Sequence, residues 1–396
     1  MTHKKLYAIL ICFVFPIMSL YSVVGSFNIA HLLAIVFMCF CLLTYPKCMS
    51  RMNQIYAPIV VYTIFQTILV VLVNNTVSGS SLFLKVAQWL LYYMLLALFN
   101  NSLFEYEIMV KVLRVTVVIT CTYLLVQQIL ASIWHIYLPP GLTFLKYVRE
   151  ELKDTYIYLD KYKRVYRPRS MFSEPATFCQ FALPALVIEI YRKYGKRNYG
   201  IIVLLVLSIV VSKSATGLFG IITIAVIYVI KMISQTKSIK KKTIMALLIV
   251  IPLLVIYVCV NSDIAYSINR FLGGSSFFSS ILDDARLTGY VKFSYLNMES
   301  WFDVLFGKGF SSEGLTDETY LYLGGFLRHY YCFGVVGIVI LFAMLLKMFI
   351  KGDSMQKTMV ILVVVLSVAS NPLHNNDLLI PFSFICSNRI RQDNDL

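Results

Sequence analysis

The chain is 396 residues long, 59% hydrophobic and only 14% charged, with a formal net charge of +15. A soluble globular domain cannot hide that much apolar surface, and long, nearly chargeless runs recur from end to end, so the composition is that of an all-α, polytopic integral membrane protein. The basic excess fits the cytoplasmic flanks of membrane spans better than a nucleic-acid surface, and nucleic acid is not an expected partner.

The first element, in "MTHKKLYAILICFVFPIMSLYSVVGSF", places Lys4 and Lys5 before an apolar core. The core is long and no A-x-A pattern follows it, so an uncleaved first span is expected rather than a signal peptide. A spanning helix needs about 20 apolar residues, fewer where the membrane thins. On that ruler the first five spans are Leu6–Val24, Asn28–Tyr45, Ile55–Asn74, Leu82–Phe99 and Met109–Trp134. The central spans are Glu174–Tyr191, Tyr199–Val211, Gly217–Ile233 and Thr243–Val260. Tyr330–Ile350, Thr358–Ser370 and Asp377–Ser387 close the chain, which makes about twelve. Tyr199–Val211 and the last span are short for the purpose. The nine cysteines lie mostly in apolar runs without a C-x-x-C pair, so neither a disulfide framework nor a metal site is implied, and no cofactor is expected.

Loop charges set the orientation. Lys47, Arg51, Arg192, Lys193, Lys237, Lys240, Lys347, Lys351, Arg389 and Arg391 fall on one side of this threading, whereas the short loops "NTVSGSS" and "NPLHNN" carry no Lys or Arg. The positive-inside rule therefore puts both termini in the cytoplasm; the acidic inner loop "NNSLFEYEI" is an exception. The expected organisation is a five-span bundle at 1–134, a long extracytoplasmic loop at 135–173, central spans at 174–260, a second long extracytoplasmic loop at 261–329, and C-terminal spans with a cytoplasmic tail at 330–396. No internal repeat is evident.

The first long loop ends on "RVYRPRSMFSEPATF", which holds Arg164, Arg167, Arg169 and Glu174 within eleven residues. Pro168 biases Arg167 toward an extended backbone, in which residues two apart share a side. Arg167 and Arg169 are thus expected as a paired guanidinium surface, suited to phosphate oxygens by bidentate geometry and permanent charge. Ser173 is a candidate N-cap, Pro175 suits a first helical turn, and Glu174 sits where the helix dipole favours an anion. A solvated loop whose arginines touch lipid headgroups fits the same spacing. Tyrosines 147, 156, 158, 162 and 166 could offer faces to sugar rings, although tyrosine is also the ordinary residue of a membrane interface.

Two further outer features follow. "VVSKSATGLFG" places Ser212, Lys213, Ser214 and Thr216 between apolar runs, either as a plain turn or as a polar break lining a cavity. "ILDDARLTGYVKFSYLNMESWFDVLFGKGFSSEG" has apolar residues at helical spacing around Arg286, then a glycine turn at Gly307 and Gly309. An amphipathic helix on the membrane surface accounts for the same pattern.

These pieces, in this order, resemble the bacterial O-antigen and capsular polysaccharide repeat-unit polymerases, relatives of the O-antigen ligases. The matching stretches are "RPRSMFSEPATFCQFALPAL", "SKSATGLFGIITIAV", "ARLTGYVKFSYLNMESWFDVLFGKGF" and the tail "YLYLGGFLRHYYCFGVVGIVILF" with its G-x-x-G, from about Arg164 to Phe342. The resemblance implies a glycosyltransferase of the bacterial inner membrane that acts on undecaprenyl-diphosphate-linked glycan. The growing glycan passes from its lipid diphosphate to the terminal sugar of another lipid-linked unit, without a nucleotide sugar or metal. It implies that Arg167 or Arg169, with Arg164 beside them, and Arg286 hold the diphosphate. A chain-length regulator and a flippase of the same pathway are the implied protein partners. An acceptor hydroxyl must lose its proton, which asks for a base nearby; Glu174 is the first candidate, with His329, His374 and Lys213 as further possible site residues. The His-Asn pair of the related ligases has no counterpart in "DETYLYLGGFLRHYYCFGVVG", which favours polymerase over ligase. A transporter for the same lipid-linked glycan is the other alternative, and it predicts discontinuous helices, charge buried in mid-span and two related halves.

Overall fold

The computed structural model describes residues 2–25, 27–46, 53–73, 79–148, 159–160, 165–192, 197–235, 296, 298, 300–310, 323–374 and 379–387. Arg164, Arg286, the span expected at Thr243–Val260 and most of the second long loop lie outside them. The described chain is a bundle of helices with two two-stranded ribbons at its edges.

The N-terminal helix α1 (His3–Ile9) runs through one π-helical turn, Leu10–Val14, into α2 (Phe15–Met18). There it stops short of the expected Val24, because Ser22–Val24 forms strand β1 against β2 (Phe27–Asn28). α3 (Ile29–Thr44) starts on a reciprocal cap in which the Asn28 side chain accepts from the His31 amide and His31 Nδ1 accepts from the Asn28 amide. α4 (Ala57–Val73), α5 (Gly79–Leu103) and α6 (Tyr106–Trp134) follow the expected order. The ribbon β3 (Leu159–Asp160) and β4 (Val165–Tyr166) precedes α7 (Pro175–Ile190), α8 (Tyr199–Val211) and α9 (Ala215–Gln235). The short α10 (Trp301–Phe306) comes next, then α11 (Gly325–Lys351), α12 (Ser354–Ala369) and, after a 3-10 turn at Pro372–His374, α13 (Leu379–Ile385). With seven residues α13 is too short to cross a bilayer on its own.

Among the described residues three helices are long and apolar enough to cross a membrane: Leu82–Leu103 within α5, α6 and α11. The shorter apolar helices pack around them, and burial runs opposite to that of a water-soluble bundle. On α6, Thr116, Thr120 and Gln127 are fully buried while Val115 is 58% exposed, with Val118, Ile119 and Ile133 exposed beside it. On α4, Thr63, Gln66 and Thr67 turn inward and Val61, Phe65, Ile68 and Leu72 turn outward. Polar groups that need partners gather inside, and the apolar exterior suits a lipid solvent.

Helix ends that alternating threading places on one face do meet. Lys4 Nζ pairs with Glu105 at 2.9 Å, and Arg192 with Glu107 at 3.2 Å. At the opposite face the Ser22 amide donates to the Lys146 carbonyl, and Trp89 Nε1 donates to the Leu373 carbonyl. Of the charges within the apolar helices, Arg114 and Glu189 join α6 to α7 through a two-pronged contact, 2.6 and 2.7 Å.

The G-x-x-G of Gly334 and Gly337, expected near the start of a span, instead interrupts one. α11 begins at Gly325 and breaks at Gly334, whose φ of 65° and ψ of −167° lie far outside the helical basin. Three carbonyls just before the break find donors from elsewhere in the chain. Lys308 N donates to Tyr331 O, Gly309 N and Gln66 Nε2 to Cys332 O, and the Tyr62 hydroxyl to Phe333 O. A broken helix inside a membrane-like bundle is tolerated only where such partners exist. The turn expected at Gly307 and Gly309 is present, both with positive φ, and it makes this seal.

Candidate functional site

The segment before α7 is held from below by α6. Ser170 adopts a left-handed backbone, φ 55°, which a non-glycine residue keeps only when its surroundings impose it. Gln127 imposes it: its Oε1 accepts from the Ser170 amide at 2.8 Å and its Nε2 donates to the Ser170 carbonyl at 3.3 Å. The Ser170 hydroxyl donates to the Thr120 carbonyl at 2.6 Å. The arginine-bearing loop is therefore fixed at its middle residue by buried hydrogen bonds.

That fixed turn changes what the arginines present. Arg169 is almost wholly buried and its Nη1 donates to the Ser173 carbonyl at 3.0 Å, so it braces the loop from within. Arg167 stays half-exposed, with its charge reaching the Cys179 thiol on the first turns of α7. Arg169 is buried while Arg167 is only partly so, so the two do not both stand on the surface as the expected pair. The α7 cap also differs from expectation by one residue. Glu174, not Ser173, occupies the N-cap with extended backbone, and Pro175 follows at the first helical position. The Glu174 carboxylate makes no capping bond, and among the described residues it has no hydrogen bond or ion pair. It is partly exposed.

The second motif meets the first at Cys179. The Cys179 thiol lies 3.3 Å from the Ser212 hydroxyl, which itself donates to the Ile209 carbonyl. Gly217 lets α9 approach closely, since a Cβ there would overlap Cys179 Sγ and Ile209. Ser212, Ser214 and Thr216 are buried in this contact, and Lys213 takes a left-handed backbone, φ 52°, at the turn between α8 and α9. Arg167 and the Ser212–Thr216 turn thus both lie against Cys179, on a frame built by α6, α7, α8 and α9.

The remaining predicted residues are elsewhere. His329 and His374 face one another within a ring cluster beside α4, α5 and α10, with ring centres 5.5 Å apart. His329 lies inside α11 and is fully buried. The tyrosines expected to offer faces to sugars are occupied by packing where they are described. Tyr147 packs tilted against Tyr21, with ring centres 5.3 Å apart, and Tyr166 sits edge-on to Tyr137 at 5.1 Å. Burial pushes both phenols, Tyr147 and Tyr166, up to about 12, with nearby Arg169 drawing them part of the way back. They therefore remain neutral hydroxyls at physiological pH. Tyr156, Tyr158 and Tyr162 lie outside the described residues, as do Arg164 and Arg286.

Sequence reasoning passed over Gln127 and Thr120, the residues that set the loop. The usable signal was a polar stripe, Thr116, Thr120 and Gln127, along one face of an otherwise apolar α6. No protein-family model, no curated protein and no solved structure matches the chain.

Proposed function

We propose that the chain is an inner-membrane protein of about twelve spans, with both termini cytoplasmic and two long extracytoplasmic loops, and that it polymerises lipid-linked oligosaccharide repeat units. Its substrate is an undecaprenyl-diphosphate-linked glycan, and its product an O-antigen, capsular or related polysaccharide. The acceptor hydroxyl attacks the anomeric carbon of the donor glycan, and the bond from that carbon to the diphosphate oxygen breaks. The lipid diphosphate leaves with the electron pair, and the hydroxyl proton goes to Glu174. Arg167, with Arg286 from the second loop, stabilises the growing charge on the leaving group.

The observation that carries this reading is the rigid loop from Arg167 to Glu174. It offers a partly exposed Arg167 and an unpaired Glu174 carboxylate on a support fixed by Gln127, and α7 meets the Ser212–Thr216 turn at Cys179. A preorganised cation suits a leaving group that gains charge, and a free carboxylate suits a proton that must be taken up. A flippase-type transporter is the second reading, favoured by the break in α11 at Gly334. Against it, the three carbonyls just before that break are sealed by Tyr62, Gln66, Lys308 and Gly309 rather than open to a substrate path.

Cells lacking the chain are expected to keep single repeat units on the lipid or its acceptor and to make no polymer. Glu174→Gln, expressed at the wild-type level, should fail to restore polymer while the purified variant still binds lipid-linked donor. Loss of all extracytoplasmic lipid-linked units in the deleted strain would instead indicate transport, and normal polymer from Glu174→Gln would remove that residue as the base.

A further inference from the structure

Three separate parts of the chain close on one ring cluster. His329 comes from α11, His374 from the 3-10 turn before α13, and Phe310 from the segment that follows α10; Trp89 and Phe333 complete it. His329 lies 4.7 Å from Phe333 between ring centres, and Phe310 lies 5.7 Å from His374 and 5.4 Å from Phe333. His329 Nε2 is 3.3 Å from the Gly337 carbonyl, which can only accept, so Nε2 carries the proton and Nδ1 is bare. That Nδ1 and both ring nitrogens of His374 have no hydrogen-bond partner among the described residues.

Among the described residues, the charged and titratable groups around the pair are mostly basic or phenolic. Arg328 is next to His329 on α11 and acts on His374. Lys85 of α5 reaches the Phe310 carbonyl at 3.4 Å, and Lys308 sits in the segment itself. Tyr93 of α5 packs on Trp89, and Tyr62 of α4 is bonded to Phe333. Asp303 lies on α10, yet no carboxylate among the described residues pairs with either histidine.

We infer that the His329–His374 pair is a proton-sensitive latch: while both rings are neutral they hold Gly307–Phe310 in the break of α11, and protonation of either one releases it. An imidazolium here would have ring faces for company but no counter-charge among the described residues, with Arg328 repelling it. Taking an unpaired charge out of water outweighs the attraction of the rings. Burial, with Arg328 and His329 adding to it, holds His374 well below the ordinary histidine range. The closed form thus binds fewer protons than the open one. Closing is favoured above about pH 6.5 and weakens about tenfold per pH unit per histidine below it, until the closed form itself takes up protons. This inference stands whether or not the chain is a polymerase.

The test is backbone hydrogen exchange at 307–310 in the full chain in lipid nanodiscs, corrected for the intrinsic pH dependence of exchange. Between pH 7.5 and 5.5 the corrected rate is expected to rise about tenfold, or up to about a hundredfold if both histidines take up protons. His329→Phe and His374→Phe keep a ring and remove a titrating group, so each should delete its share of the rise and the combined variant should be flat. Emission from Trp89, read with Trp134→Phe and Trp301→Phe in place, should change with the same midpoint in the otherwise wild-type chain. A flat wild-type exchange profile, an unchanged Trp89 emission or an undiminished rise in the combined variant each overturns the latch.

Discussion

Arg167→Ala is expected to lower polymer formation by at least about a hundredfold, the scale seen when one fixed donor to a developing charge is removed, with a smaller fall in thermal midpoint than Arg169→Ala. The fold motivates the split. Arg167 is half-exposed, whereas Arg169 is buried and bonded to the Ser173 carbonyl. Arg169→Ala should therefore lose polymer and also destabilise the loop, by about 1.5–3 kcal/mol for a charge-assisted hydrogen bond. Arg167→Lys keeps the charge but not the fork, so it should restore activity only in part. Polymer assays on purified variants, paired with thermal unfolding in the same detergent, separate the two effects. If Arg286 holds the same diphosphate, removing it together with Arg167 should be little worse than removing either, because groups acting as one unit are not additive. Wild-type polymer from a well-folded Arg167→Ala variant would free the first loop from any role at the diphosphate.

The largest effect on folding is expected at the break in α11. At Gly334 the φ of 65° with ψ of −167° belongs to a region that side chains avoid, and a Cβ there would overlap the Leu305 carbonyl. Gly307 is its counterpart, since a Cβ on it would overlap the backbone at Cys332 and Phe333. The two backbones touch through their glycines, so neither side can give way by rotating a side chain. Gly334→Ala should cost at least about 3 kcal/mol from backbone strain and overlap together, and Gly307→Ala a similar amount. Gly25 is the control: its φ is also positive, at 56°, but nothing lies within 4 Å of the added carbon. Gly25→Ala should cost about 1 kcal/mol, the intrinsic left-handed penalty. Thermal midpoints of the three variants in one detergent give the comparison, and equal midpoints for Gly25→Ala and Gly334→Ala would contradict the close approach.

The helices that cross the bundle were legible because each apolar run is long enough to dominate its own stretch of chain. α3 and α6 end within a few residues of their expected limits. The end of the first span was misplaced because Val23 and Val24 count as apolar in any window, although they belong to β1. The break at Gly334 was invisible for a different reason. Locally "GVVG" reads as helix, and its carbonyls are satisfied by Tyr62, Gln66 and Gly309, none of them near in sequence. The candidate site was half legible. The residue types at Arg167, Glu174 and Lys213 raised the question, and Cys179 is where the two motifs meet. What the spacing could not foresee is the turn at Ser170, since a left-handed serine is imposed by Gln127 and not encoded in the loop itself. The histidines were each legible as candidates but not as a pair, because only the folded chain brings the turn at Pro372–His374 onto α11.

The most direct measurement gives purified wild-type chain a synthetic undecaprenyl diphosphate bearing one repeat unit, with no nucleotide sugar and no other protein. The proposed function predicts a ladder of glycans of increasing repeat number on the lipid. One undecaprenyl diphosphate should be released for each unit joined, and the ladder should vanish with Arg167→Ala and with Glu174→Gln. Repeat units that remain single in the presence of folded wild-type protein, or that cross a vesicle bilayer without being joined, would contradict it.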